Sequence, residues 1–587
     1  MNTEETNVEM KDAEHKDEAG PAQVDADATE ADVSEADLDQ EEQEKQPMTG
    51  GDQAADTPSA SGQEAPTTAE KNGLVKLKIP DEEEEVKFTG LNKEELMRVA
   101  GTPGWVRTRW ALLVVFWLGW LGMLVGAVLI ILQAPRCKDL PNTNWWNDGP
   151  LYQIGNIQAF TDTHNLKVRC KIRQTQRQQL LKYKRVTTKN HHNSKLLLLL
   201  TVCVSTSGLE QKVNSLAQLK VKGLVVGPIH VAPPDEAVNL SFEEISPEAG
   251  NLDQFKGFVQ AAHKKGVFVV LDLTPNYLGS SGPWFSNSSV TIVAERLKSA
   301  LVFWLDEGVD GIQLSGVERV ATVVPSLWND IRAIVQNRTD KHPNSRVLIG
   351  VTDRSSAEDV STLLSSTGVD LLISRVLHSR DTDVTELARS IQHLYSSQSQ
   401  MNLAWNLGGR LEGHMASLVG PALVKLHQLL LLTLPGTPIF SYGDEIGLMD
   451  EGTKFPKMLW DSNEELNGTL QEERAERLTC RRFFSTVSEL RGKERSLLFG
   501  DFILLFNSSS SLAYLRVWDQ NERYLAAFNW AAEESAVLQL SHTVLPPTAV
   551  VVLSTNSSTM PADSSVDLTN LRLGPGEAAL LKFPYTG

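Results

Sequence analysis

Cysteine is scarce: four residues (Cys137, Cys170, Cys203 and Cys480) in 587 do not make a disulfide framework. No two stand at CxxC spacing, so a zinc site has no ligand pattern, and neither a metal nor a cofactor is expected. A basic surplus is also missing. Residues 1–90 hold 26 acidic and 7 basic side chains, which alone account for the net charge of −19. The rest is neutral, so a nucleic-acid partner is excluded on charge. Aromatics are nearly absent from residues 1–87, which are rich in Glu, Asp, Ala, Gln, Thr and Pro. Such a stretch cannot bury enough apolar surface to offset its ordering entropy, and it is expected to be a disordered acidic tail. It also has no apolar run and no cleavage site, which excludes a signal peptide.

What is present begins after a juxtamembrane segment, 88–110. Residues 111–132 read ALLVVFWLGWLGMLVGAVLIIL, without a charge. At about 1.5 Å per residue this run crosses a hydrocarbon core of roughly 30 Å, so the lipid bilayer is its expected surroundings. Trp105 and Trp110 stand at one end, where indoles favour the interface. Lys93, Arg98, Arg107 and Arg109 precede the span, and only Arg136 and Lys138 follow it closely. That bias puts the N-terminus in the cytosol. Sequons at Asn239, Asn287, Asn337, Asn467, Asn507 and Asn556 all follow the span. The expectation is a single-pass type II glycoprotein of the plasma membrane. Within the span Gly119, Gly122 and Gly126 recur at spacings of three and four, a candidate helix-packing face.

Beyond an extracellular neck, 133–147, short apolar runs alternate with amphipathic stretches. Strands are predicted at 151–155, 223–230, 267–275, 308–314, 346–352, 369–375, 402–407 and 437–443. Helices are predicted over 251–265, 290–307, 326–336 and 421–434. Eight such βα units over 148–495 predict an α/β fold, a TIM-like (β/α)₈ barrel. From 496 to 587 the runs ILLFN, AYLRVW, RYLAAFNW, AVLQL, AVVVLS and AALLKF predict a closing antiparallel β domain. Residues 168–207 fit neither: nine basic residues, no acidic one and a five-leucine run, with no helical period. They are read as a non-native insertion, a translated intron; a genuine basic loop is the alternative.

LYQIGNIQAF, LDLTPNY, GVDGIQL and LLTLPGTPIFSYGDEIGL resemble the α-amylase family of glycoside hydrolases over about residues 148–587. That chemistry needs two carboxylates flanking the scissile bond, about 5–5.5 Å apart in retaining enzymes. The resemblance implies an Asp nucleophile four residues after Gly311, where Ser315 stands, and an Arg where Gln313 stands. It implies a Glu general acid after Gly350, where Val351 stands, and an Asn-His-Asp where Asn406, Leu407 and Gly408 stand. Asp272 and Asn276 persist, with Tyr277 in place of His. Without nucleophile or acid no catalytic residue is expected. Asp272 and Asn276 read as a hydrogen-bonding pair at a strand end, and Asp310, Asp444 and Glu445 as parts of the fold.

An amylase-like ectodomain on a type II span, with APRCKDLP and NWWNDGPLYQIG at its neck, resembles the heavy chains of heteromeric amino-acid transporters. The resemblance implies a polytopic light chain that carries the amino acids, joined through Cys137, stabilised and brought to the surface by this chain. It further implies a link to integrins through span and tail. Two other readings stay open on residues alone: a membrane-anchored α-glucosidase, and a sugar-binding or adhesion receptor. Cys480 lies in a helical stretch and is expected to be buried and free. The intron reading predicts that transcript sequencing across codons 168–207 finds their 120 nucleotides removed from most message; retention in most message overturns it.

Overall fold

The computed structural model describes residues 92–133, 138–160, 205–337, 345–378, 383–460 and 469–586. The acidic tail, Cys137, Cys170, Cys203, Asn467 and nearly all of 168–207 lie outside the described residues. The chain divides into two units, residues 1–119 and 120–587.

Helix α1 (Lys93–Ala100) starts on Asn92, whose side chain accepts from the Lys93 N–H. Helix α2 (Pro103–Gln133) opens on a proline, which suits a first turn whose N–H groups are unbonded anyway. It carries the apolar run with every side chain in the 18-residue window unburied, and its length and composition suffice to cross a membrane. A Cβ built at Gly119, Gly122 or Gly126 meets open space.

The second unit holds the barrel. In chain order come β1 (Leu151–Ile154), helix α3 (Ser205–Ala217), β2 (Gly223–Val226), a small hairpin of β3 (His230–Val231) and β4 (Ser241–Ile245), α4 (Leu252–His263) and β5 (Phe268–Asp272). Then follow α5 (Val290–Asp306), β6 (Gly311–Ser315), α6 (Val317–Val323), α7 (Pro325–Gln336), β7 (Val347–Val351), α8 (Ala357–Thr367) and β8 (Leu371–Ile373). Helix α9 (Val384–Ser397), β9 (Ala404–Trp405), α10 (Met415–Val419), α11 (Val424–Thr433), β10 (Thr437–Ser441) and α12 (Thr469–Lys493) complete it. Eight parallel strands run in the order β8-β7-β6-β5-β2-β1-β10-β9, and a parallel bridge between Leu372 and Leu403 joins the ends. All eight predicted strands are present; seven are shorter than predicted at one or both ends, and β6 starts later and runs one residue further, to Ser315. Helix α3 starts at Ser205, so the last three residues of the suspected insertion belong to a barrel helix.

Alternation along the strands sorts the core. Leu151, Val225, Val270, Val347, Ile349, Leu371, Ile373, Ala404 and Ile439 form one apolar cluster, to which Trp146 of the neck belongs. Trp145 stacks on Phe268 (4.3 Å) and donates to the Ser345 carbonyl (2.9 Å), and Thr437 donates to the Trp146 carbonyl (3.0 Å). These partners stand at or just before strand starts, so the neck seals the N-terminal end of the barrel.

The β domain is a six-stranded sheet in the order β11 (Asp501–Asn507), β12 (Ser511–Val517), β13 (Arg523–Asn529), β18 (Ala578–Phe583), β15 (Thr548–Ser554), β16 (Ser565–Asp567). A second sheet pairs β14 (Ala536–Leu538) with β17 (Leu571–Leu573). The sequence reading had no strand at β16 or β17, whose three residues each are too short to show a period.

Barrel and β domain meet on two fully buried arginines. Arg491 of α12 donates to the carbonyls of Leu432 (2.7 Å), Leu434 (3.0 Å) and Gly436. Arg516 of β12 donates to Thr433 (2.7 Å) and Gly500 (2.9 Å). Burial pushes the Arg491 guanidinium down to about 9 and that of Arg516 to about 10. Gly436 sits at φ +114, and a Cβ there would lie 2.7 Å from the Leu403 carbonyl, so the turn into β10 admits only glycine. Arg491→Ala strips three buried carbonyls of their donor. It is expected to cost on the order of 3 kcal/mol or more and to lower the melting temperature of the purified chain by several degrees; an unchanged melting curve contradicts this role.

Candidate functional site

In a βα barrel the loops after the strands form the functional end. Here they enclose a cavity of about 400 Å³. Gln313 and Ser315 reach it from β6, Val351 from β7, Asn406 from beyond β9 and Asp272 from β5, all lining its wall. Leu407 is buried, and Gly408 has its carbonyl bonded by Asn406 Nδ2 (2.9 Å). A Cβ at Gly408 would lie 2.7 Å from the Gly413 carbonyl.

The base of the cavity is a closed hydrogen-bond chain. Gln153 Nε2 donates to Gln313 Oε1 (2.9 Å), and Gln313 Nε2 donates to Asp272 Oδ2 (2.9 Å). Asp272 Oδ1 accepts from the Thr274 N–H (2.8 Å) and hydroxyl (2.6 Å). The Ser315 hydroxyl lies 3.1 Å from that of Thr274, and its carbonyl accepts from Trp284 (2.8 Å). Burial raises the Asp272 carboxyl above its ordinary range, opposed by the Thr274 bonds, the Arg410 charge and Gln313. An amide thus stands where the amylase pattern carries an arginine, and it spends both ends on neighbours.

Asp272 and Asn276 are not a pair, contrary to the sequence reading. Asn276 turns to the other side, with Nδ2 3.0 Å from both Asp235 Oδ1 and Ser281 Oγ. Asp235 also accepts from the N–H groups of Ser280 (2.9 Å) and Ser281 (2.8 Å); the Ser281 side chain first, then these N–H groups and Asn276, hold its carboxyl well below the usual range. The four-residue spacing puts the Asp on the strand and the Asn in the loop beyond it, where their partners differ. Tyr277 donates to the His230 carbonyl (2.7 Å).

The loop after β9 crosses the cavity. Gly409 and Gly413 exchange two backbone bonds (3.0 and 2.9 Å), which throws Arg410, Leu411 and Glu412 forward. Arg410 donates to the Gly155 carbonyl (2.9 Å) and lies over Tyr277 (4.9 Å) and Phe455 (5.2 Å). On the far side Arg375 holds Glu412 (2.5 Å) and reaches Asp353 (3.3 Å). The sequence offered no sign of this strap, because no local period marks a mixed-charge loop.

The remaining acids stand apart. Asp310 precedes β6, at the opposite end of the barrel, and takes His263 Nε2 (2.7 Å) and the Val269 N–H (2.7 Å). Asp444 is buried and accepts from the N–H groups of Met415 (3.0 Å) and Ser441 (2.8 Å). Burial lifts its carboxyl to about 6. Glu445, raised by burial, takes the Tyr152 hydroxyl (3.0 Å) with Arg481 at 3.7 Å. Cys480 is buried and free, accepts from Gln428 (3.3 Å), and burial pushes its thiol up to about 11. Asn239, Asn287, Asn337, Asn507 and Asn556 are exposed. Asn287 Oδ1 accepts from Arg319 (2.8 Å).

The comparisons follow this division. Residues 76–152 match the family model "Solute carrier family 3 member 2 N-terminus", and residues 204–292 match "Alpha amylase, catalytic domain". The amino acid transporter heavy chain SLC3A2 of Oryctolagus cuniculus is 40% identical, across 93% of this chain and 96% of its own. The SLC3A1 heavy chain of Rattus norvegicus is 22% identical, over 83% and 85%. An α-glucosidase of Culex pipiens is 22% identical, over 64% and 86%. Among solved structures the trehalulose synthase MutB of Pseudomonas mesoacidophila MX-45 aligns with TM-score 0.54 at 15% identity, over 75% of this chain and all of that one. That likeness establishes the amylase fold.

Gln313→Leu removes the donor from buried Asp272 and the acceptor from Gln153. It is expected to destabilise the chain by roughly 1–3 kcal/mol, measured by thermal unfolding; a neutral result shows that the chain of amides is dispensable.

Proposed function

The chain belongs to the amino-acid transporter heavy chains of the SLC3A2 type, and from that premise we propose that it is the non-catalytic subunit of a heteromer. The observation that carries this reading is 40% identity across 96% of a heavy chain's length. A polytopic light chain carries the amino acids; this chain stabilises it and delivers it to the plasma membrane. Helix α2 anchors the complex with the acidic tail in the cytosol and the barrel outside, in agreement with the flanking charges and the one-sided sequons. Gly119, Gly122 and Gly126 offer close approach to a partner helix. The exposed sequons carry the glycans. An association with integrins would fall to α2 and the tail.

Cys137 forms the covalent link. It stands four residues beyond α2, in the compartment where disulfides persist. The barrel works as a scaffold. Ser315 and Val351 bring no carboxylate to the strand ends, and Asp272 is spent on Thr274 and Gln313. The enzymes this chain resembles, an α-glucosidase among them, are of low identity, which favours the heavy-chain reading over an α-glucosidase.

Membranes expressing the chain are expected to show a high-mass band on a non-reducing gel that collapses on reduction and is lost in Cys137→Ser. A single monomer band in both lanes overturns the covalent heteromer.

A further inference from the structure

The loop between β5 and α5 carries a sequon, Asn287-Ser288-Ser289, on a stretch that the barrel holds firmly. Asn276 anchors its first half: the Asn276 N–H donates to the Pro283 carbonyl (2.8 Å) and Nδ2 to the Gly282 carbonyl (3.1 Å). Pro283 lies against Gly316, where a Cβ would come within 2.6 Å of it. Trp284 and Phe285 are buried, and Trp284 donates to the Ser315 carbonyl at the end of β6 (2.8 Å). After them the chain turns outward, and Ser286, Asn287 and Ser288 are exposed. The place of Asn287 is thus set by the strand ends.

Its amide is held as well. Arg319 of α6 donates to Asn287 Oδ1 through Nε (3.0 Å) and Nη2 (2.8 Å). Arg319, Gly282 and Pro283 all line the cavity. Among the described residues, Asn287 is the one sequon asparagine whose side chain bonds a cavity-lining side chain; Asn239 donates to Glu236, and Asn556 accepts from the Ser558 N–H. A bond from a guanidinium to a carbonyl oxygen is charge-assisted, and the planar fork fixes the direction of the amide. Modification leaves this bond intact. Glycan transfer forms a bond from Nδ2 to the first sugar's anomeric carbon, breaks that carbon's bond to a lipid diphosphate donor, and takes one proton from Nδ2. The carbonyl oxygen is untouched, so Arg319 keeps its acceptor.

We propose that Asn287 is glycosylated and that its glycan roofs the barrel mouth, with Arg319 as the positioning residue that keeps the first sugar at the rim. In the closed ring of strands β5 stands four places from β9, half-way round. The glycan from the loop after β5 and the strap from the loop after β9 therefore reach over the cavity from opposite sides. A bulky, hydrated chain there leaves small solutes free to enter and excludes polymers, a polysaccharide end or a protein loop, by its volume. The inference rests on the reading that the barrel lies outside the cell, since sequons are used only on that side.

The test uses the full-length chain co-expressed with an amino-acid transporter light chain in membranes. Leu411→Cys, exposed on the strap and lining the cavity, reports on the mouth; Val537→Cys, exposed on β14, is the distant control. Each is labelled with a long polyethylene-glycol maleimide or with N-ethylmaleimide, and the chain without a reporter gives the background. Ser289→Ala ends the sequon and keeps Asn287 on Arg319. It is expected to remove the mass of one glycan and to speed polymer labelling at 411 several-fold, with N-ethylmaleimide at 411 and the polymer at 537 unchanged. Arg319→Met is expected to keep the mass and to speed polymer labelling at 411 in part. A peptide N-glycosidase acting on the folded chain is expected to reproduce the Ser289→Ala rate, which decides the matter even where that variant folds poorly. If Ser289→Ala leaves the mass unchanged while the glycosidase still shifts the chain, Asn287 carries no glycan: the roof is overturned and the external barrel stands. Equal polymer rates at 411 with and without the glycan also overturn the roof. A chain that the glycosidase does not shift at all overturns the external barrel, and the roof with it.

Discussion

Five residues of main chain, 432–436, carry much of the architecture. They join α11 to β10, the strand that sits between β1 and β9 in the barrel. Arg491 and Arg516 both donate into this segment and both are fully buried, and among the described residues neither has a carboxylate partner. Burying a charge is costly unless hydrogen bonds satisfy it. Here the main-chain carbonyls supply them, with Tyr514 and Thr433 sharing a further bond at 2.6 Å. One arginine comes from the last barrel helix and the other from the β domain, so the loop is gripped from both domains. Closure of the barrel and docking of the β domain thus draw on the same main-chain segment.

That constraint holds the amylase fold together independently of what stands at its strand ends. Trp146 plugs one end of the barrel, and the other is crossed by Arg410 and Glu412. Between them Asp272, Gln313 and Gln153 satisfy one another. What the fold offers its surroundings is a barrel closed at its strand starts by Trp145 and Trp146 of the neck.

The barrel was legible in the sequence because each strand is an apolar run bounded by turn residues, and because eight of them alternate with helical periods. VFVVLD and TPIFSY could hardly be anything else. The sealed floor was not legible: NWWN looks like neck, and only the stacking of Trp145 on Phe268 shows it to be barrel. The strap was missed for the same reason, since the pairing of Gly409 with Gly413 and of Glu412 with Arg375 joins residues that no local pattern relates. Asp272 and Asn276 were located correctly and paired wrongly, because spacing along a strand end does not say which way each side chain turns. Gln313, Ser315 and Val351 line the cavity, but which chemistry those positions have lost or kept is not written in their placement.

On the proposed reading this chain serves transport as a scaffold anchored at its neck, with no chemistry at the barrel mouth. The direct measurement is labelled amino-acid uptake by cells expressing a light chain together with a mouth variant, Asp272→Asn with Arg410→Met, normalised to surface abundance. The account predicts uptake equal to that with the unmodified chain. Loss of uptake at unchanged surface abundance would contradict it and return function to the cavity.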